Sequence, residues 1–115
     1  MIRFTLSQRP DGTLTAYTLR GHADYAAEGD DIVCAAASAL SITCLNSLEA
    51  VCHIQPRVSG GKDGLLQVQL PPSLDADRLH DAQVLLKALH QGMKDLAEAY
   101  PRHVHVSTTI RRETP

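Results

Sequence analysis

At the start of the chain Ile2, Phe4 and Leu6 alternate with Arg3, Thr5 and Ser7. This is the period of two that puts one set of side chains on each face of a strand. Pro10-Asp11-Gly12 is a turn signal, and a second alternating run over 13–21 brings the chain back, so the pattern predicts a β-hairpin. From 23 to 30 no period holds and Gly29 loosens the backbone, so that stretch reads as a loop. A helix is expected from about residue 32 to about residue 52, with Leu40, Leu45, Leu48 and Val51 towards the core and Pro56 beyond its end. Short extended runs at 54–59 and 65–70 flank Gly60-Gly61-Lys62-Asp63-Gly64, which predicts a second hairpin. Pro71-Pro72 stops it, and Ser73 or Asp75 can cap a long helix that reaches to about Tyr100 and ends at Pro101. Leu79, Ala82, Leu86, Leu89, Met93, Leu96 and Tyr100 step by threes and fours, the seam of a helix that packs on a core. Residues 103–110 alternate again. The order ββαββαβ predicts an α+β fold, a single domain over 1–115 in which a mixed sheet is packed by two long helices.

Composition narrows the functional classes. With 115 residues, 43% of them hydrophobic, the chain suits one core. No run of about eighteen uninterrupted apolar residues stands out and the first residues alternate like a strand, so neither a membrane span nor a signal peptide is expected, and a cytoplasmic location follows. Three cysteines cannot all pair within one chain, which also fits a reducing compartment. Net charge is −2, aromatics make up 3% of residues, and basic residues such as Arg3, Arg9, Arg20, Arg57, Lys62, Lys87 and Arg111 are scattered. That scatter argues against nucleic acid as the main ligand, since neither a basic stripe nor a stacking platform is visible.

Cys34 carries the candidate chemistry. It stands three residues after Asp31, at the head of Ala35-Ala36-Ala37-Ser38-Ala39, with Gly21-His22-Ala23 shortly upstream. If Asp31 is the N-cap, Cys34 falls in the first helical turn, where unpaired N–H groups and the helix dipole favour a thiolate. His22 is then a base within reach of an activated thiol, and backbone N–H groups at the helix start are donors for an oxyanion. Ser38, four residues on, shares a face with Cys34. The loop with Ala23, Asp24, Tyr25, Gly29 and Asp30 has a catalytic candidate at each end and is expected to act as a lid. The bland alternatives are a core cysteine, a satisfied strand-end histidine and a capping aspartate. No second acid is assigned to orient His22, and the chemistry requires no metal and no cofactor.

Gly21-His22-Ala23 and Gly29-Asp30-Asp31-Ile32-Val33-Cys34-Ala35-Ala36, followed by Ser38-Ala39-Leu40 and Asn46, closely resemble the ribosomal-processing cysteine protease family, called Prp. The resemblance covers nearly the whole chain, with Ala37 where valine is expected. It implies a cysteine endopeptidase that removes a short N-terminal extension from a large-subunit ribosomal protein. It also implies Cys34 as nucleophile, His22 as base, Gly21, Asp31 and Ser38 as further motif positions, and a homodimer with no direct nucleic-acid or membrane partner. A non-catalytic ribosome-assembly factor that only binds the extension is the alternative. A metal or redox module built from Cys34, Cys44, Cys52, His53, His103 and His105 is a weaker one, because the spacings contain no C-x-x-C pair.

Overall fold

The computed structural model describes residues 1–21, 28–60 and 64–111, with only the backbone of 28–31 included. Its elements are β1 (Ile2–Gln8), β2 (Leu14–Arg20), α1 (Glu28–Ala50), β3 (Arg57–Gly60), β4 (Leu65–Gln69), α2 (Ala76–Ala99) and β5 (Val104–Ile110), in the expected ββαββαβ order. The five strands form one sheet in the order β3-β4-β2-β1-β5. β1 pairs antiparallel with β2 and parallel with β5, so the sheet is mixed, and β2 and β3 both pair antiparallel with β4.

Register explains the two-layer architecture. Phe4 stands opposite Leu19 and Val106, and Leu6 opposite Tyr17, which in turn faces Val68. These side chains share one face of the sheet. Ile2, Phe4, Leu6, Tyr17, Val68 and Val104 are buried there in one core with Val33, Ala37, Cys44 and Leu48 of α1 and Ala82, Leu86, Leu89 and Met93 of α2. The other face carries Arg3, Thr5, Ser7, Thr18, Gln67 and Gln69, with hydroxyl contacts between Thr5 and Ser107 at 3.2 Å and between Ser7 and Thr109 at 3.4 Å. One face is apolar and covered by helices; the opposite face is polar.

The α2 prediction holds closely. Asp75 is the N-cap, with its carboxylate accepting from the Arg78 N–H at 2.8 Å, and the predicted seam supplies the buried residues of the helix. Gln83 ties α2 to the sheet, accepting from the Leu14 N–H at 2.7 Å and donating to the Leu14 carbonyl at 2.8 Å. Where α1 and α2 meet, Gly92 lets them approach, since a Cβ there would stand 3.2 and 3.3 Å from the methyl groups of Leu40.

The α1 prediction needs three corrections. The helix starts at Glu28, four residues earlier than expected, so Gly29 and Asp30 belong to its first turn and Asp31 lies within it. Acidic residues are favourable in a first turn, where they meet the positive end of the dipole, and this sets the boundary against the loop signal of Gly29. The buried stripe runs through Val33, Ala37, Ser41, Cys44 and Leu48, whereas Leu40 and Leu45 only border the core. Val51 lies past the helix end and is 68% exposed. By length and a mean hydropathy of 1.5, Ile32–Ala50 has the composition of a membrane-crossing segment; here its buried stripe forms part of the core between sheet and α2.

Candidate active site

The candidate residues come from the end of β2 and from the first turns of α1. Gly21 terminates β2 with φ 102°, in the left-handed region, and its N–H donates to the Gly64 carbonyl at 2.8 Å. A Cβ at this position would collide with the carbonyl oxygen of Met1. Both the backbone angle and the close approach of the β1 start therefore demand glycine. This gives a physical reason for the glycine of the Gly-His pair: it fixes where the chain leaves the sheet just before position 22.

Cys34 is the seventh residue of α1 and is partly buried, packed against the edge of the core. It is therefore in the second helical turn, not the first. Asp31 is not the N-cap, and the argument that the first-turn dipole field makes Cys34 a thiolate fails, because that effect decays within the first turn. Ser38 is exposed one turn further along. His22 and the lid residues Ala23, Asp24 and Tyr25 lie outside the described residues, as do the side chains of Asp30 and Asp31. Gly29 and Asp30, expected in the lid, are helical.

The other two cysteines occupy a different environment. Cys44 is 6% exposed, with its Sγ 3.9 Å from the Leu85 carbonyl, and burial pushes its thiol up to about 11 despite an opposing hydrogen bond with Tyr17. Tyr17 is deeper still: its hydroxyl donates to the Ser41 carbonyl at 2.8 Å, and burial drives its pKa upward. Ser41 in turn donates to the Ala37 carbonyl at 2.7 Å. Cys52 is also buried and its thiol is also raised, first by desolvation. Burial disfavours the anion at both positions, so neither is suited to nucleophilic work at neutral pH. No disulfide joins the three cysteines. Among the described residues no three His, Cys, Asp or Glu side chains come together as metal ligands; His53 is exposed beyond α1 with φ 58°, and His105 is exposed on β5.

Comparison with known proteins gives this geometry a context. The family model described as cysteine protease Prp matches residues 1–105. The ribosomal processing cysteine protease Prp of Bacillus subtilis (strain 168) is 27% identical over 111 residues, covering 96% of this chain and 99% of the relative. That of Staphylococcus aureus is 25% identical, covering 93% and 98%. Among solved structures, SMU.848 from Streptococcus mutans superposes with a TM-score of 0.80 at 30% identity, covering 96% of this chain and 99% of the other. The essential ribosomal processing protease Prp from S. aureus in complex with a substrate peptide has the same fold, with a TM-score of 0.81 at 24% identity and coverage of 94% and 99%. By class, then, this is a thiol-dependent peptidase on a two-layer α+β scaffold. The chain belongs to the cysteine protease Prp family.

Proposed function

We propose that this protein is an endopeptidase that removes a short N-terminal extension from a large-subunit ribosomal protein, with Cys34 as nucleophile and His22 as general base. The observation that carries the assignment within the chain is the contrast among its thiols: Cys34 alone is partly buried, while Cys44 and Cys52 are in the core with raised pKa values. The relatives' description as ribosomal processing cysteine proteases supports the substrate class. A cytoplasmic homodimer completes the reading.

In this reading His22, one residue past the obligatory Gly21, accepts the Cys34 proton as the sulfur attacks the scissile carbonyl. The tetrahedral oxyanion is met by backbone N–H groups that have no intrahelical acceptor in the first turn of α1, which begins at Glu28. Imidazolium then protonates the leaving amine, and a thioester remains on Cys34. Water deprotonated by His22 attacks the thioester, releases the extension as a carboxylate and restores the thiol. The geometry of α1 changes one part of the chemistry: with Cys34 beyond the first turn, activation of the thiol falls to the histidine rather than to the helix dipole.

Mass spectrometry of the extended ribosomal protein after incubation tests this. Wild-type protein is expected to release the extension as one peptide and Cys34→Ala to leave the substrate intact. An intact substrate with both proteins would favour the non-catalytic binding factor, and cleavage by both would remove Cys34 from the mechanism.

A further inference from the structure

The fold treats the two edges of its sheet differently. β3 lies at one end of the strand order and β5 at the other. β3 is four residues long, follows Pro56 and closes at Gly60, where φ is 88° and a Cβ would collide with the Leu65 carbonyl. A short edge bounded by proline and glycine is a poor template for another strand. β5 is seven residues long and pairs with β1 in unbroken parallel register from Ile2–Val104 to Gln8–Ile110. It contains no proline, no glycine and no Asp, Glu, Lys or Arg, the devices that keep an edge from recruiting a second strand.

The backbone directions along β5 follow from its two end contacts. The Ile2 N–H donates to the His103 carbonyl at 2.8 Å, and the Arg111 N–H donates to the Gln8 carbonyl at 2.7 Å. Along a strand alternate residues turn both backbone groups to the same side, so the odd positions from His103 to Arg111 serve β1 and the even positions face the open edge. Val104 donates its N–H to the Tyr100 carbonyl at 3.1 Å. Val106, Thr108 and Ile110 have no strand beside them among the described residues. The same parity puts their side chains on the helix-covered side of the sheet, where Val106 stands opposite Phe4 and is partly buried, while Thr108 is exposed and Ile110 is 64% exposed.

We propose that the β5 edge pairs antiparallel with β5 of a second copy of this chain, about a two-fold axis at Thr108, so that two sheets become one continuous sheet. The inference rests on the homodimer in the proposed function and supplies its face. Self-complementarity selects a second copy over a foreign strand. With Thr108 opposite its own counterpart, Val106 falls opposite the partner's Ile110 and Ile110 opposite the partner's Val106. Every outward-facing residue of the three is then matched, giving about six backbone bonds between the copies. The two apolar pairs cover an isoleucine that is otherwise in water. On the open side Ser107 meets the partner's Thr109, and no like charges are opposed over 104–110. Moving the axis to Ser107 would set Ile110 against the partner's Val104, a position whose N–H is already committed to Tyr100. A strand of seven residues spans about 23 Å. That is a small contact beside the roughly 800 Å² per partner of a standard interface, so association in the micromolar range is expected.

Sedimentation equilibrium of the full chain from about 5 to about 500 μM is expected to show monomer passing to dimer, with half-association at tens of micromolar. Over the same range hydrogen exchange should slow at the Val106, Thr108 and Ile110 amides, while the Ser107 and Thr109 amides, bonded to β1, stay protected throughout. Thr108→Pro removes an N–H that β1 does not use, a place where an edge strand accepts proline, and should weaken association at least about tenfold. Ile110→Lys sets a charge in each apolar pair at an exposed site and should weaken it about tenfold as well. Val84→Lys, at an exposed position of α2, should leave it unchanged. Thermal melts of the variants check their fold. A chain still monomeric at the highest concentration, or a dimer whose strength neither folded variant changes, overturns the proposal. So does protection of the edge amides that appears only in a monomer given the substrate's extension, which would assign the edge to a foreign strand. None of these outcomes bears on Cys34, which cleavage reads separately.

Discussion

Cys34 and Cys44 lie on the same helix, ten residues apart, and the fold treats them in opposite ways. Cys44 faces the sheet and α2, touches the Leu85 carbonyl and has a thiol pushed up to about 11. Cys34 lies in the second turn of α1 at the edge of the core and is only partly enclosed. Neither local sequence, Ile32-Val33-Cys34-Ala35-Ala36 or Ile42-Thr43-Cys44-Leu45-Asn46, tells how far its thiol is enclosed. What separates them is how much of the thiol the core covers, because burial in a low-dielectric environment penalises the thiolate that nucleophilic attack requires.

The largest effect expected from this difference is on turnover. Cys34→Ala should lower peptide cleavage by at least about a thousandfold while melting within a few degrees of wild type. Cys44→Ala should do the reverse, keeping cleavage within a few-fold and lowering stability by about 1 kcal/mol through a small core cavity. A stopped assay and a thermal melt on the two proteins read out both halves. If Cys44→Ala were the inactive one, the comparison would be inverted.

Gly21→Ala probes the chain where it leaves β2. Its φ of 102° and the collision of the new Cβ with the Met1 carbonyl make a loss of about 3 kcal/mol the expected result in chemical denaturation. Gly12→Ala, also at positive φ but with nothing within 4 Å of its Cβ, should cost about 1 kcal/mol. Equal losses would show that the contact with Met1 is not what requires glycine at position 21.

Alkaline pH sharpens the contrast from the Cys44 side. Its thiol is raised from an ordinary 9.0 to about 11 in the folded protein. The unfolded chain therefore releases this proton first, and the stability contributed below pH 9 is lost as pH rises from 9 through 11, by about 2–3 kcal/mol in all. The fall in melting temperature over that window should be shallower in Cys44→Ala than in wild type. Tyr17, also raised by burial, adds a loss that begins near pH 10 and should persist in the variant. The smallest effect expected is that of Tyr17→Phe, which deletes the 2.8 Å bond to the Ser41 carbonyl. It should cost about 1 kcal/mol and leave cleavage unchanged.

Much of the scaffold could be read in the chain because its signals are local. The alternation of Ile2, Phe4 and Leu6, the Asp75 cap and the α2 seam depend on neighbours a few residues away, and all appear where the pattern puts them. The start of α1 was obscured because Glu28-Gly29-Asp30 carries a loop-like glycine inside an acidic first turn, and those two cues point in opposite directions. Val51 was placed in the core by continuing a helical period that in fact stops at Ala50. The parallel pairing of β5 with β1 is a property of topology, for which no spacing in the sequence gives a signal. At the candidate site, the cysteine and the Gly-His pair are proposals that the sequence suggests, and the place of Cys34 in the second turn could not be read from it.

The most direct measurement is substoichiometric alkylation with iodoacetamide near pH 7, with peptide mapping and residual cleavage followed in the same sample. Carbamidomethylation is expected on Cys34 well ahead of Cys44 and Cys52, with activity lost in one-to-one proportion to Cys34 modified. Full modification of Cys34 with cleavage retained, or loss of cleavage that tracks Cys44 or Cys52 instead, would contradict Cys34 as the nucleophile.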